Sequence, residues 1–95
     1  MPESSNMADP TLHVRIISPQ ALILDSEAQS VSSKNLQGPF DILPQHANFI
    51  TVVENQPIVV RILKQKPLIF KFLIAIILTT ANKVDIYTYI QPNTS

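Results

Sequence analysis

The chain has 95 residues, 45% hydrophobic and 15% charged, which suits one small globular domain with a single modest core and argues against a chain disordered as a whole. Seven lysines and arginines balance seven acids, so the long-range attraction that draws proteins to phosphate backbones is missing and nucleic acid is not an expected partner. Cysteine is absent, which excludes a disulfide, a thiolate nucleophile and a cysteine-ligated zinc.

Residues 1–10 carry Glu3 and Asp9 with neither a basic nor an apolar run. They read as a disordered lead-in and not as a signal peptide, ahead of a β domain over 11–91 and a tail over 92–95. Leu12-His13-Val14-Arg15-Ile16-Ile17 opens with apolar and polar residues in alternation, and Ser18-Pro19-Gln20 ends it in a turn. A short strand follows at residues 21–24, then Asp25-Ser26-Glu27, read as a solvated turn, then a weaker strand of small residues over 28–33. Phe49-Ile50-Thr51-Val52-Val53 is the next strand, closed by Glu54-Asn55-Gln56-Pro57, and residues 58–63 lead to a turn at Gln65-Lys66-Pro67.

The apolar run 68–78 is long enough for one helix or two strands, and its isoleucines and phenylalanines favour two strands with a tight bend between them. Lys71 interrupts it, and it falls well short of the roughly 20 residues that cross a bilayer, so it is core and not anchor. Residues 84–90 alternate, placing Val84, Ile86, Thr88 and Ile90 on one face and Asp85, Tyr87 and Tyr89 on the other. Eight prolines keep the strands short, and the single glycine, Gly38, leaves most turns to Pro, Asn and Gln. The expected class is all-β, a sandwich or small barrel.

Catalytic chemistry finds no foothold. His13 and His46 lie on separate segments without carboxylates at ligand spacing, so no metal is expected, and one glycine cannot build a phosphate-cradling loop. No serine sits in a nucleophile elbow. Arg61, Lys64, Lys66 and Lys71 interleave with Phe70 and Phe72, a pattern that single-stranded nucleic acid uses, but strand alternation points the aromatics inward and the lysines outward. The chain is read as a non-enzyme with no cofactor, acting by docking onto other proteins. Residues 1–50 hold two bases and five acids and residues 51–95 five bases and two acids, an asymmetry that orients docking without driving it.

One segment is distinctive: Gly38-Pro39-Phe40-Asp41-Ile42-Leu43-Pro44-Gln45-His46-Ala47. It resembles the "hydrophobic-Leu-Pro-x-His-Ala-Pro" turn of the N-terminal β domain of the F-type ATP synthase epsilon subunit, called delta in mitochondria. Leu12–Ile17 with Ser18-Pro19 is similar to that family's opening strand, Ile23-Leu24-Asp25-Ser26-Glu27 to its next strand and turn, and residues 51–61 to its following hairpin. A fainter likeness runs through residues 84–90, near the family's "Asn-x-Val" strand. Asp41 stands where the family usually has glycine, Asn48 where it has proline, and bulky residues replace paired glycines near 73–76.

The resemblance implies a ten-stranded β-sandwich in the central stalk, a rotor subunit that docks to gamma and to the polar loops of the c-ring and couples proton flow to ATP synthesis. It implies c-ring contacts at Pro39, Phe40, Asp41 and Gln45 and gamma contacts at Ser18, His46 and Thr51. It also implies a place on the cytoplasmic side of a bacterial inner membrane, held there only through the complex. The helical hairpin that follows this domain in the family has no counterpart in these residues, so nucleotide sensing and inhibition by that hairpin are not expected. The alternative is a free-standing β-sandwich binding module outside any ATP synthase. On the main reading, residues 38–47 form a stiff knob held out for a rotating neighbour.

Overall fold

In the computed structural model, residues 10–45 and 47–89 are described. Nine strands occur among them: β1 Leu12–Ile17, β2 Leu22–Ala28, β3 Ser30–Asn35, β4 Gly38–Ile42, β5 Phe49–Val53, β6 Pro57–Arg61, β7 Leu68–Lys71, β8 Ala75–Thr80 and β9 Lys83–Thr88. They form a five-stranded sheet in the order β2-β1-β9-β8-β5 and a four-stranded sheet in the order β4-β3-β6-β7. The fold is the expected all-β sandwich, with nine of the ten expected strands within the described residues. Residues 1–9, His46 and residues 90–95 lie outside them, and with them the expected lead-in, the tail and the inward place of Ile90.

The core follows from alternation. In β1 the even residues Leu12, Val14 and Ile16 are buried, and in β9 Val84, Ile86 and Thr88 are buried while Tyr87 is exposed. Ile86 on β9 pairs with Ile16 on β1 and with Ile77 on β8, so three fully buried isoleucines form one row through the middle of the larger sheet. Val31 of β3, Ile42 of β4 and Ile58 and Val60 of β6 supply the facing layer. Each such side chain contributes about 1.5–3 kcal/mol on leaving water. All pairings are antiparallel except β1 with β9, which run parallel as neighbours in the larger sheet.

The run 68–78 does divide into two strands, β7 and β8, with the bend at Phe72, Leu73 and Ile74. The Asn55 N–H donates to both the Phe72 and Leu73 carbonyls and so holds that bend. The strands place Phe70 half-buried and Phe72 buried with their rings stacked, and Lys71 outside.

Two expectations are corrected. Asp25-Ser26-Glu27 is not a turn but the second half of β2, because residues 25 and 27 share one face and both carboxylates meet His13 across the ladder. Residues 38–42 are likewise a strand, not part of a loop; β4 is a sheet edge, where a proline's missing N–H is tolerated.

Thr79 is fully buried on β8, and its hydroxyl has no hydrogen-bond partner among the described residues. An unmet hydroxyl costs more than a methyl in the same place. Thr79→Val is therefore expected to raise stability by about 1 kcal/mol, read as a higher urea midpoint with an unchanged slope.

Candidate functional site

Residues 38–45 are built from an edge strand and a braced turn. Gly38 sits at φ 122°, a backbone state that favours glycine, and opens β4 directly after the turn at Leu36 and Gln37. Along β4 the side chains alternate: Pro39 and Asp41 point out, while Phe40 and Ile42 point into the core. Phe40 packs its ring against Phe49 at 5.4 Å between centroids, so its contribution is to anchor the strand, with only part of its edge open. Asp41 is held across the sheet: Ser32 on β3 donates to its carboxylate, and Arg61 on β6 donates from Nη1 to the Ser32 oxygen at 3.2 Å. The carboxylate is thus exposed but fixed in place.

Beyond β4, Gln45 has φ 65° and its N–H donates to the Asn82 side-chain oxygen at 2.5 Å. Asn82, itself at φ 65° in the tight turn between β8 and β9, also accepts from the His13 N–H through its backbone carbonyl at 2.8 Å. One residue therefore ties together the tip after β4, the β8–β9 turn and the start of β1. Asn82 opens the Asn-Lys-Val triplet that the sequence places at the late strand, and its role as a brace was not visible there. Asn82→Ala is expected to destabilise the chain by about 1–2 kcal/mol, part from the lost bond and part from the left-handed backbone. Asn82→Gly removes the bond without the backbone strain; with either variant the Gln45 amide should exchange faster than in the parent chain.

The three positions assigned toward gamma do not form one cluster. Ser18 is buried at the end of β1, where its oxygen accepts from the N–H groups of Gln20 and Ala21 at 3.2 and 3.1 Å, so it shapes the β1–β2 turn. Thr51 lies on β5, with β9 and β8 between it and β1, and its hydroxyl accepts from the Asn35 side-chain amide at 2.8 Å. That bond ties the two sheets together beside the β3–β4 turn. His46 lies outside the described residues.

Between the strands that carry Ser18 and Thr51 is a surface that reading the sequence did not single out. On the outer face of the larger sheet, Ile17, Tyr87, Ile76 and Val52 stand in one cross-strand row, and Leu78 and Ile50 continue it in the next. Val52, Ile50, Ile76 and Tyr87 are all exposed. Ile74, Ile76, Tyr87 and Tyr89 wall a shallow, almost wholly apolar groove of about 270 Å³ there. The signal was present in the alternation of β9, which put Tyr87 and Tyr89 outside; in β8 it was hidden, because the exposed Ile76 lies between apolar neighbours.

The same face becomes charged toward the other end. Arg15 Nε donates to Asp85 at 3.0 Å, and His13 lies between Asp25 and Glu27. The Glu27 hydrogen bond raises His13 above the ordinary imidazole value, and hydrogen bonds from Thr11 and then His13 hold Glu27 below the ordinary carboxylate value. Among the described residues no group of three His, Cys, Asp or Glu side chains is placed to hold a metal ion. The molecule therefore offers surfaces, an outer strand β4 with its braced tip on one sheet and an apolar face on the other.

Comparison with known proteins agrees with this geometry. Residues 11–89 match the family described as ATP synthase, Delta/Epsilon chain, beta-sandwich domain. The chain is 39% identical over 44 residues to the ATP synthase epsilon chain of Moorella thermoacetica, covering 46% of this chain and 33% of that protein. It is 36% identical over 44 residues to the chloroplastic epsilon chain of Pinus koraiensis, covering 46% and 32%. It thus spans about a third of the length of these relatives.

The fold resembles a chain in the central stalk and c-ring structure of the Tetrahymena thermophila mitochondrial ATP synthase, with a TM-score of 0.71, 15% identity, and 83% of this chain and 63% of that one covered. It also resembles a chain in the Euglena gracilis mitochondrial ATP synthase OSCP, F1 and c-ring structure, with a TM-score of 0.78, 15% identity, and coverage of 95% and 59%. At that identity the structural likeness speaks for the fold alone. The family match covers nearly all of the described residues, and the chain belongs to the ATP synthase delta/epsilon family through its β-sandwich domain.

Proposed function

We propose that this chain is a non-catalytic rotor part of an F-type ATP synthase, seated in the central stalk between the gamma subunit and the c-ring so that proton flow is coupled to ATP synthesis. The observation that carries the reading is the apolar row Ile17, Tyr87, Ile76 and Val52, left open on the outer face of a family-typical sandwich. Large exposed apolar surfaces on small domains mark places where another protein sits. Gamma is the partner assigned to that face, with Ser18 and Thr51 shaping its two sides; His46 is assigned to gamma on the family resemblance alone.

The c-ring loops are assigned to the opposite sheet. There Pro39 and Asp41 project from β4, Gln45 projects from the tip braced by Asn82, and Phe40 supports them from inside. A side chain already fixed in the free protein loses little entropy on docking, which favours such a braced strand as a contact for a moving neighbour. The chain then lies at the membrane surface only through the complex, and its relation to the bacterial epsilon chain favours the cytoplasmic side of a bacterial inner membrane.

The test is co-purification of the tagged chain with gamma and a c-ring from the same source. Recovery of both, with Asp41→Lys losing the c-ring while keeping gamma, supports the assignment of the two faces. A chain that recovers neither partner, at concentrations where an authentic epsilon chain does, removes the rotor reading.

A further inference from the structure

The strand β2 is an edge of the larger sheet and is poorly anchored: of its seven residues only Ala28 is buried, with Ile23 and Leu24 partly packed on the core. Its register with β1 already slips between Ile16 and Ile17. Towards the other end, one side chain of β1 grips it twice. His13 Nε2 is 2.6 Å from an Asp25 carboxylate oxygen and His13 Nδ1 is 2.7 Å from a Glu27 carboxylate oxygen. The second Glu27 oxygen accepts from the Thr11 hydroxyl at 2.6 Å.

Both ring nitrogens thus face acceptors that have no proton of their own. An imidazolium donates from both nitrogens, whereas a neutral imidazole has one N–H and one lone pair. With the proton gone, one carboxylate faces that lone pair at hydrogen-bond distance, and two lone pairs repel. We propose that His13 is a proton-operated latch for the sheet edge: protonated, it fastens β2 to β1 through Asp25 and Glu27 together, and neutral, it keeps one carboxylate and releases the other.

The surroundings of the ring leave this behaviour to it. On its own strand, Arg15 is committed to Asp85 of β9. On β9, Lys83 stands opposite His13 in the parallel register, and the Asn82 carbonyl takes the His13 backbone N–H at any pH. On β2, Asp25 stands opposite Arg15 and Glu27 opposite His13, so the two carboxylates straddle the ring.

The sign follows from linkage. His13 is raised in the folded chain, so its contribution is complete below the ordinary imidazole value and is lost as pH climbs through the raised one. Glu27 is lowered, so its contribution holds above the ordinary carboxylate value and is lost as pH falls through the lowered one. The latch is closed between roughly pH 5 and 6.5 and opens toward the alkaline side. The proposal is independent of the rotor reading, since it concerns the free chain.

The experiment is amide hydrogen exchange on the free 95-residue chain from pH 5.5 to 8.5, with rates corrected for intrinsic exchange and β9 as internal reference. Exposed ion pairs are individually weak, so protection of the β2 amides is expected to fall about two- to five-fold relative to β9 across that range. His13→Gln should flatten the profile at the high-pH level, and Glu27→Gln should flatten it by leaving one carboxylate for the neutral ring. A β2 profile that is level in the parent chain, or unchanged in His13→Gln, overturns the latch. Should His13→Gln fail to fold, the parent chain decides: a His13 ring titration by NMR whose midpoint coincides with that of β2 protection supports the latch, and midpoints more than about one pH unit apart overturn it.

Discussion

Replacing Ile86 with alanine is expected to lower stability by about 2–5 kcal/mol, measured as a shift of the urea midpoint at constant slope. The size follows from position. Ile86 is fully buried on β9 and stands between Ile16 and Ile77 in the row that runs through the middle of the larger sheet. Its removal leaves a void bounded by two β-branched neighbours whose side chains have little rotamer freedom with which to close it. Domains of this size hold only about 5–15 kcal/mol in total, so the variant should be close to half unfolded at body temperature if the parent lies at the low end. Ile86→Val, which removes one methylene, is expected to cost about 0.5–1.5 kcal/mol. A loss as small for alanine as for valine would mean that the two sheets slide together and fill the gap, against the packing described.

The second large effect is on binding and not on folding. Ile76→Asp should weaken association with gamma by about 30-fold or more, the scale of a central contact residue, while the urea midpoint moves by less than about 1 kcal/mol. The asymmetry rests on exposure: Ile76 is 44% and Tyr87 42% accessible, so neither contributes much to the core, yet both lie in the middle of the apolar row. A carboxylate there must be stripped of water against an apolar partner with nothing to compensate it. Tyr87→Ala tests the same surface without a new charge and is expected to lose about ten-fold. If Ile76→Asp binds gamma as tightly as the parent, the apolar face is not the docking surface, even where co-purification succeeds through another contact.

What could be read from the residues depended on whether the deciding interaction was local. The strand β9 was legible because Val84, Ile86 and Thr88 alternate with Asp85 and Tyr87, and a strand that covers one side of a core needs nothing else. The two strands within residues 68–78 were legible for a similar reason, since Ile and Phe suit a pleated surface and Pro67 marks the entry. The second half of β2 was not. Asp25-Ser26-Glu27 has turn composition, and it is extended because both its carboxylates find His13 across the ladder, a partner distant in sequence.

The candidate site divides the same way. The distinctive segment from Gly38 onward pointed to the correct family, yet the side chains that hydrogen-bond it in place belong to Ser32, Arg61 and Asn82, which no reading of residues 38–47 alone contains. Phe40, assigned outward with its neighbours, faces the core by simple alternation between Pro39 and Asp41. The exposed apolar face was missed because an unbroken run such as Ala75, Ile76, Ile77 and Leu78 looks uniformly buried, and only the sheet assigns Ile77 to the inside and Ile76 to the outside.

The parallel pairing of β1 with β9 has a consequence for how the protein is made. The last described strand does not close an edge; it threads between the first strand and β8, in the centre of the larger sheet. Until residues 83–88 have left the ribosome, β1 and β8 have no common neighbour and the inner layer stays open. Synthesis proceeds from the N-terminus, so this domain should stay collapsed and unlocked until residues 83–88 emerge and then set in one slow step governed by sequence-distant contacts. A nascent chain stalled before residue 83 should therefore be protease-sensitive along its whole emerged length, and one released beyond residue 89 should resist as a single unit.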